Sequence, residues 1–95
     1  MNVLVAYATR SGSTAEIAER VANRLRIAGH HADIGPVTSF SVMPTHDAFV
    51  VGSAVYIGHW RKEALEFVER NKAVLAARPT WLFSSGPLGN ERTDP

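Results

Sequence analysis

Short, continuously apolar runs alternate along the chain with longer segments in which apolar residues recur at helical spacing. The apolar runs cover residues 3–8, 47–53 and 80–83, and their length and β-branched content predict strands buried on both faces. The helical spacing covers residues 13–28 and 61–77 and predicts two amphipathic helices. Residues 31–37 alternate weakly before Gly35 and Pro36, which predicts a short strand at or near a sheet edge.

The ends of the predicted helices carry boundary signals. Ser13 and Glu16 have the spacing of a capping box at the start of the first helix, and Gly29 follows its last apolar residue. Pro79 follows the second helix, which therefore should end before it. The predicted order is β-α-β followed by β-α-β, with no repeat or interdomain linker.

This order predicts a single α/β domain over residues 1–95, with a parallel sheet covered by helices on both faces. Ligands of such sheets bind outside the carboxyl ends of the strands, near the point where the strand order reverses. Three loops should meet there, over residues 8–14, 54–60 and 84–90, and all three are rich in glycine, hydroxyl groups or aromatic rings.

Composition excludes several classes of function. The 95 residues are 45% hydrophobic and 20% charged, with a formal net charge of +1, which gives no reason to expect nucleic acid or an anionic membrane as partner. The chain has no cysteine, so it has no disulfide or thiolate metal site. It also has no secretory signal and no apolar run of about 18 residues, so a cytoplasmic location is expected.

The loop after the first strand has the chemistry of a phosphate site. A helix amino terminus offers unpaired N–H groups and a partial positive charge, Gly12 lets a ligand approach the backbone, and neighbouring hydroxyl groups can donate hydrogen bonds. The alternative is an N-cap turn in which the hydroxyl groups are incidental. Neither a Walker loop nor a dinucleotide-binding glycine pattern is present.

This loop, TRSGST at residues 9–14, resembles the T-x-T/S-G-x-T phosphate loop of flavodoxin-like proteins, which holds the phosphate of FMN without a lysine or a metal. The stretch GSAVYIGHWRKEALEFV at residues 52–68 is similar to the third strand, flavin-side loop and following helix of the quinone-dependent protoporphyrinogen oxidase branch. The chain departs from that branch at Ile57, where an aromatic residue is usual, and over residues 84–95.

The resemblance implies a flavodoxin-like three-layer α/β/α sandwich with strand order 2-1-3-4, FMN as cofactor, and FMN-binding residues in all three loops. Tyr56 and Trp60 are candidates to stack on the isoalloxazine ring, although Trp60 could instead be a packing residue and Tyr56 a solvent-facing one. The third loop could contact the pyrimidine edge of the flavin or be an ordinary turn. The implied FMN-binding residues are Thr9, Arg10, Ser11, Gly12, Ser13, Thr14, Ala54, Val55, Tyr56, Ile57, Gly58, His59, Trp60, Ser85, Gly86, Pro87, Leu88 and Gly89.

The four histidines do not have metal-ligand spacing with carboxylates, so no metal site is expected. His59 alone lies in a ligand-facing loop, where it could orient the flavin or donate a proton, or be an ordinary surface residue. No hydrolase nucleophile with a base and an orienting group can be assembled.

Three functional classes follow. The first is an FMN-dependent redox protein, either an electron carrier or an oxidoreductase acting on a quinone or a porphyrin-like substrate. The second is a domain that binds a phosphate-bearing ligand or a protein partner without flavin, and the third is a purely structural remnant. Flavodoxin-like domains usually have a fifth strand and a closing helix, which the sequence does not show before Pro95. Residues 80–84 would then form an exposed sheet edge, so self-association is expected, with weaker FMN binding than in a longer chain.

Overall fold

The computed structural model describes residues 1–9, 12–40, 46–56 and 58–85. A parallel sheet forms the middle layer, with strands β1 (Asn2–Ala8), β2 (His31–Pro36), β3 (Ala48–Tyr56) and β5 (Thr80–Ser85). β4 (His59–Trp60) is a two-residue strand that pairs antiparallel with the end of β3. The helices are α1 (Ser13–Ile27), α2 (Lys62–Arg70) and α3 (Lys72–Ala77), with a 3₁₀ turn at Val37–Ser39.

The parallel strands run in the order β2-β1-β3-β5. This order confirms the predicted arrangement 2-1-3-4, because β5 is the strand that the sequence predicts as the fourth. It also places β2 at one edge of the described sheet, as Gly35 and Pro36 indicate. β4 was not predicted, since two residues are too few to give a periodic signal.

Successive residues of β1 alternate between two hydrophobic cores. Leu4 packs on one face of the sheet with Phe49 and with Phe67 of α2, and Val5 packs on the other face with Val50 and residues of α1. Burying a side chain such as Phe67 contributes about 1.5–3 kcal/mol. β1 is therefore covered on both faces, which explains why its sequence is continuously apolar.

The helix predicted at residues 61–77 is divided into two, which corrects that prediction. Asn71 is buried and ends α2, and its side-chain amide donates a hydrogen bond to the Phe67 carbonyl at 2.8 Å. Its own carbonyl accepts from the Leu75 amide and begins α3. The apolar spacing runs on across the break, so periodicity alone could not show it.

Gly29 ends α1 as predicted. It has a positive φ of 98°, its amide bonds to the Arg26 carbonyl, and the following His30 amide bonds to the Leu25 carbonyl. These paired bonds form a Schellman motif.

Gly52 provides the space for an aromatic ring of the neighbouring strand. It lies opposite Phe83 in the β3–β5 register, and a Cβ at Gly52 would overlap the Phe83 ring. The ring can pack against the α1-side core only because residue 52 has no side chain.

We expect Gly52→Ala to lower the free energy of unfolding by about 1–3 kcal/mol, because the added methyl group displaces the Phe83 ring. Gly35→Ala is the matched control, since its Cβ would lie 3.4 Å from Phe40 and should cost less than about 1 kcal/mol. Urea denaturation measures both. The Gly52→Ala cost should shrink when Phe83 is also changed to Ala, and equal costs in the two backgrounds would contradict the proposed overlap.

Candidate functional site

The register of the parallel strands brings the candidate loops to one edge of the sheet. Ala8 of β1 lies opposite Ser53 of β3, and Ser53 lies opposite Ser84 of β5. The segments that follow these three residues therefore begin side by side at the carboxyl ends of their strands. The described parts of the three loops therefore meet at this edge of the sheet, as the sequence predicts.

The turn between β1 and α1 is held by Thr9 and Gly12. Gly12 has a φ of 95°, a conformation that side-chain-bearing residues rarely adopt, and its amide donates to Thr9 Oγ1 at 2.8 Å. Its carbonyl accepts from the Glu16 amide, so Gly12 is the N-cap of α1. The predicted capping box is wrong: Ser13 already lies inside the helix, and none of the described side chains caps this end.

Thr14 is the most informative residue of this turn. It is only 1% exposed, and its Oγ1 is buried without a hydrogen-bond partner among the described residues. A buried hydroxyl group without a partner costs about 1–3 kcal/mol of stability. Thr14 lies in the first turn of α1, where the backbone N–H groups have no acceptor within the helix. The turn thus combines a hydroxyl donor and amide donors, a set that fits the oxygen atoms of a phosphate.

The second candidate loop is a strand end and a hairpin instead of an irregular loop. Ala54 and Val55 lie in β3, which is longer than predicted because Val55 pairs with Trp60 and Tyr56 with His59. Two residues connect these pairs, and Gly58 has a positive φ of 76° there. His59 and Gly58 are exposed at the tip of this hairpin.

Ser53 anchors the hairpin and was not identified as important from the sequence. It is fully buried, its hydroxyl donates to the Ala54 carbonyl at 2.9 Å, and it accepts from the Arg61 amide at 2.9 Å. These bonds tie the end of β3 to the start of α2. A serine within an otherwise apolar buried strand is the signal that could have revealed it.

Trp60 joins two of the three segments. Its indole Nε1 donates to Ser84 Oγ at 2.8 Å, and its ring is half-buried against the α2-side core. Trp60 therefore has the packing role that the sequence allows for it. Its bond to Ser84 also places the indole at the carboxyl ends of β3 and β5. Stacking of Trp60 on a flavin stays a prediction.

Several predicted site residues cannot be placed. Ser85 is the last residue of β5, so the strand ends two residues beyond the apolar run 80–83 that predicts it. The residues that lie outside the described part of the chain are Arg10, Ser11, Ile57, Gly86, Pro87, Leu88, Gly89 and, beyond its backbone, Tyr56.

An ion pair lies beside the hairpin anchor. Arg61 Nε donates to Glu63 Oε2 at 2.7 Å, and both side chains are about one-third exposed. The hydrogen bond from Arg61, together with one from the Glu63 backbone, lowers the pKa of the Glu63 carboxyl group below its ordinary value. Glu63 is also in the first turn of α2, where a negative charge is favourable.

A second polar cluster lies outside the predicted site. The Asp33 carboxylate bonds to His31 Nε2 at 3.1 Å and to His46 Nε2 at 2.8 Å, and the bond with His46 is the main cause of a lowered Asp33 pKa. Within residues 1–9, 12–40, 46–56 and 58–85, no group of three or more His, Asp or Glu side chains is arranged to hold a metal ion. None of the helices in those ranges has the length and apolarity needed to cross a bilayer.

Comparison with known proteins identifies the family. A flavodoxin domain model matches residues 4–94. The chain belongs to the flavodoxin domain family. This family implies a flavin-binding domain with flavodoxin-type redox function, in agreement with the phosphate-type turn at the start of α1.

Two curated relatives match most of this chain in sequence. Two proteins named protoporphyrinogen IX dehydrogenase (quinone), from Escherichia coli strain K12 and Escherichia coli O157:H7, are each 30% identical over 86 residues, which are 88% of this chain and 48% of the relative. The chain thus spans about half the length of these relatives.

Solved flavodoxins share the fold at low identity. A flavodoxin from the domain Archaea superposes with a TM-score of 0.79 at 19% identity, covering 90% of this chain and 63% of that one. Oxidised Flavodoxin 2 from Bacillus cereus gives a TM-score of 0.74 at 24% identity, covering 96% and 65%. These matches confirm the predicted flavodoxin-like α/β architecture.

We expect Glu63→Gln to lower the free energy of unfolding by about 0.5 kcal/mol at pH 7, a small value because solvent screens the pair. A carboxyl group with a lowered pKa in the folded state stabilises the fold above its unfolded pKa, and this contribution is lost as the pH falls through the folded pKa. The difference between wild type and variant should therefore disappear by about pH 2.

Urea denaturation over a pH series measures this difference. Glu66→Gln is the control, because Glu66 is exposed and lies 4.0 Å from Lys62 Nζ. A Glu63→Gln difference that is the same at pH 7 and at low pH would show that the Arg61 pair does not act through the Glu63 charge.

Proposed function

We propose that this domain binds FMN, with the FMN phosphate in the turn from Thr9 to Thr14, and that it acts as a flavodoxin-type redox protein. The observation that carries the proposal is the buried hydroxyl group of Thr14 in the first turn of α1, which has no hydrogen-bond partner among the described residues. Thr14 is the last residue of the motif TRSGST, and the flavodoxin domain match covers it. The residues present fit a phosphate group.

The turn residues have separate roles in this proposal. Thr9 Oγ1 accepts the Gly12 N–H and so fixes the turn, which leaves the amides of Ser13 and Thr14 for the ligand. The Thr14 hydroxyl group donates one further hydrogen bond. A donor set of amides and hydroxyl groups, aided by the helix dipole, can hold a phosphate without a metal ion.

The hairpin formed by β3 and β4, together with the end of β5, would hold the isoalloxazine ring of FMN. When bound, FMN supplies an isoalloxazine ring that exchanges electrons with a donor and an acceptor. Trp60 offers an aromatic face and a fixed position, because its indole bonds to Ser84 and its hairpin is anchored by Ser53. The indole ring of Trp60 could thus exclude water from one side of the flat isoalloxazine ring.

The identity with the two Escherichia coli proteins supports an oxidoreductase that uses a quinone, as their name states, in preference to a pure electron carrier. Reduction of the FMN-loaded protein, followed by mixing with a water-soluble quinone, tests this. Multiple turnovers with a porphyrinogen donor support the oxidoreductase, whereas reoxidation only by a protein partner identifies a carrier. A cytoplasmic location stays a prediction.

We expect Thr14→Val to weaken FMN binding about tenfold or more, because a hydrogen bond to a charged phosphate contributes roughly 1.5–3 kcal/mol. The same substitution should leave the stability of the ligand-free protein unchanged or raise it, because it removes a buried hydroxyl group that no described residue satisfies. Isothermal titration measures the loss of FMN affinity, and urea denaturation shows that stability is not lost with it.

Riboflavin, which lacks the phosphate, is the matched ligand control for this variant. Its affinity should be the same for wild type and Thr14→Val. Thr14→Ser keeps the hydroxyl group and should retain most of the FMN affinity. Equal FMN affinity of wild type and Thr14→Val would refute the phosphate assignment, and binding of inorganic phosphate without FMN would favour the flavin-free alternative.

We also expect bound FMN to quench Trp60 fluorescence more strongly than that of the chain's other tryptophan, Trp81. Trp60 bonds to Ser84 at the site edge of the sheet, whereas Trp81 lies near the opposite end of β5. FMN titrations of Trp81→Phe and Trp60→Phe, each with one remaining tryptophan, measure the two separately. Equal quenching of Trp60 and Trp81 in the two variants would contradict the placement of Trp60 beside the isoalloxazine ring.

A further inference from the structure

Two serine hydroxyl groups on neighbouring strands hold consecutive residues of the hairpin. Ser53 of β3 and Ser84 of β5 lie opposite each other in the parallel register. Ser53 Oγ accepts a hydrogen bond from the backbone amide of Arg61 at 2.9 Å, and Ser84 Oγ accepts one from the indole Nε1 of Trp60 at 2.8 Å. Because residues 60 and 61 are adjacent in the chain, the two serines hold one short segment.

The two hydroxyl groups lie on the α2 side of the sheet. Opposed residues of neighbouring strands point to the same face, and successive residues of one strand alternate between the faces. Phe83 packs in the α1-side core, so the next residue, Ser84, and its opposed residue, Ser53, point to the α2 side. Trp60 packs against the core on that side. The serines and the indole therefore share one face of the sheet.

Trp60 is held through its backbone as well as through its side chain. Its backbone pairs with Val55 at the end of β3, and the following residue, Arg61, is the N-cap of α2. The Arg61 carbonyl accepts hydrogen bonds from the Ala64 and Leu65 amides in the first turn of this helix. Trp60 thus lies between a strand pair and the start of a helix, and both are fixed by protein groups.

The burial of Ser53 makes its hydroxyl group hard to replace. The residue is fully buried, and its hydroxyl group also donates to the Ala54 carbonyl at 2.9 Å. Removal of this hydroxyl group would leave the Arg61 amide without its acceptor, and an unsatisfied donor favours movement of the backbone toward water. Because Trp60 is the preceding residue, such a movement would also displace the indole.

We propose that Ser53 and Ser84 are positioning residues that set the Trp60 indole in place before a flavin ring binds. The hydrogen bonds that fix residues 60 and 61 all join protein groups, so they do not depend on a ligand. A side chain that is already ordered loses less conformational entropy on binding, and the ring then binds more tightly. The proposal rests on the proposed function, because it concerns the subsite for the isoalloxazine ring.

The indole N–H signal of Trp60 tests the positioning without any flavin. The chain has two tryptophans, so in a Trp81→Phe background this is the one indole signal in a ¹H–¹⁵N correlation spectrum. We expect Ser84→Ala to shift the signal and to speed its exchange with solvent, because the variant removes the acceptor. Ser53→Ala should broaden or split the signal, because the variant releases the backbone at Arg61.

Titration with riboflavin tests the consequence for the ring. We expect Ser53→Ala and Ser84→Ala each to weaken riboflavin binding about two- to tenfold, since the indole must then be ordered on binding. FMN affinity should fall by the same factor, because neither variant touches the phosphate turn. The double variant should lose less than the product of the two factors, because both serines hold the same segment. If Ser53→Ala is too unstable to titrate, Ser84→Ala alone decides the affinity.

Three control variants separate positioning from a general loss of stability. Thr80→Val removes a hydroxyl group that donates to the Leu75 carbonyl at 2.8 Å at the opposite end of β5, and it should keep riboflavin affinity within about twofold. Ser84→Thr keeps the hydroxyl group and should retain the affinity of the wild type. In Trp60→Phe, which lacks the indole N–H, Ser84→Ala should no longer change riboflavin affinity.

Three results would overturn the proposal. The first is an unchanged Trp60 indole signal in both serine variants, which would show that the hydroxyl groups do not hold the indole. The second is unchanged riboflavin affinity in Ser84→Ala although the indole signal moves. The third is an equal Ser84→Ala effect in the wild-type and Trp60→Phe backgrounds, which would show that Ser84 does not act through the indole. A wild-type protein that binds neither FMN nor riboflavin would instead refute the proposed function itself.

Discussion

The parallel register of β1, β3 and β5 is the constraint on which the rest of the site depends. It sets Ala8, Ser53 and Ser84 side by side, so the segments after them emerge together at one edge of the sheet. The register is maintained by side-chain burial on both faces of β1 and β3, where a shift by one residue would exchange the two cores. Hydrophobic packing thus fixes where the polar groups of the site lie.

Within this framework, the proposed phosphate site at the start of α1 would lower the stability of the ligand-free protein in exchange for ligand binding. Gly12 adopts a positive φ that residues with a side chain rarely tolerate, and Thr14 buries a hydroxyl group that no described residue satisfies. Both features are unfavourable in a helix that only has to fold. They become favourable together when an anion occupies the turn, because the anion supplies the missing acceptor for Thr14 and for the first amides of α1. A buried polar group without a partner is rare in native structures, and a bound anion would account for this one.

The sequence predicted most where periodicity and burial coincide. β1 and α1 are found within one residue of their predicted ends, because continuous burial and helical spacing give unambiguous patterns. The errors arise where one tertiary contact overrides a local signal. Asn71 interrupts a helical pattern by bonding to the Phe67 carbonyl, and the Gly12 turn replaces the expected capping box. Thr14 could be predicted as a phosphate donor from its motif, but its lack of a partner depends on the packing of the folded chain.

The most direct test of this account is to follow the backbone amides by ¹H–¹⁵N correlation spectroscopy while FMN is added. The account predicts that the Gly12, Ser13 and Thr14 amides shift strongly with FMN and much less with riboflavin, since only FMN places a phosphate there. Amides at the opposite end of the sheet, such as His31 and Asp47, should remain unchanged with both ligands. Equal shifts of the Gly12 to Thr14 amides with FMN and riboflavin, or no shifts there with FMN, would contradict the account.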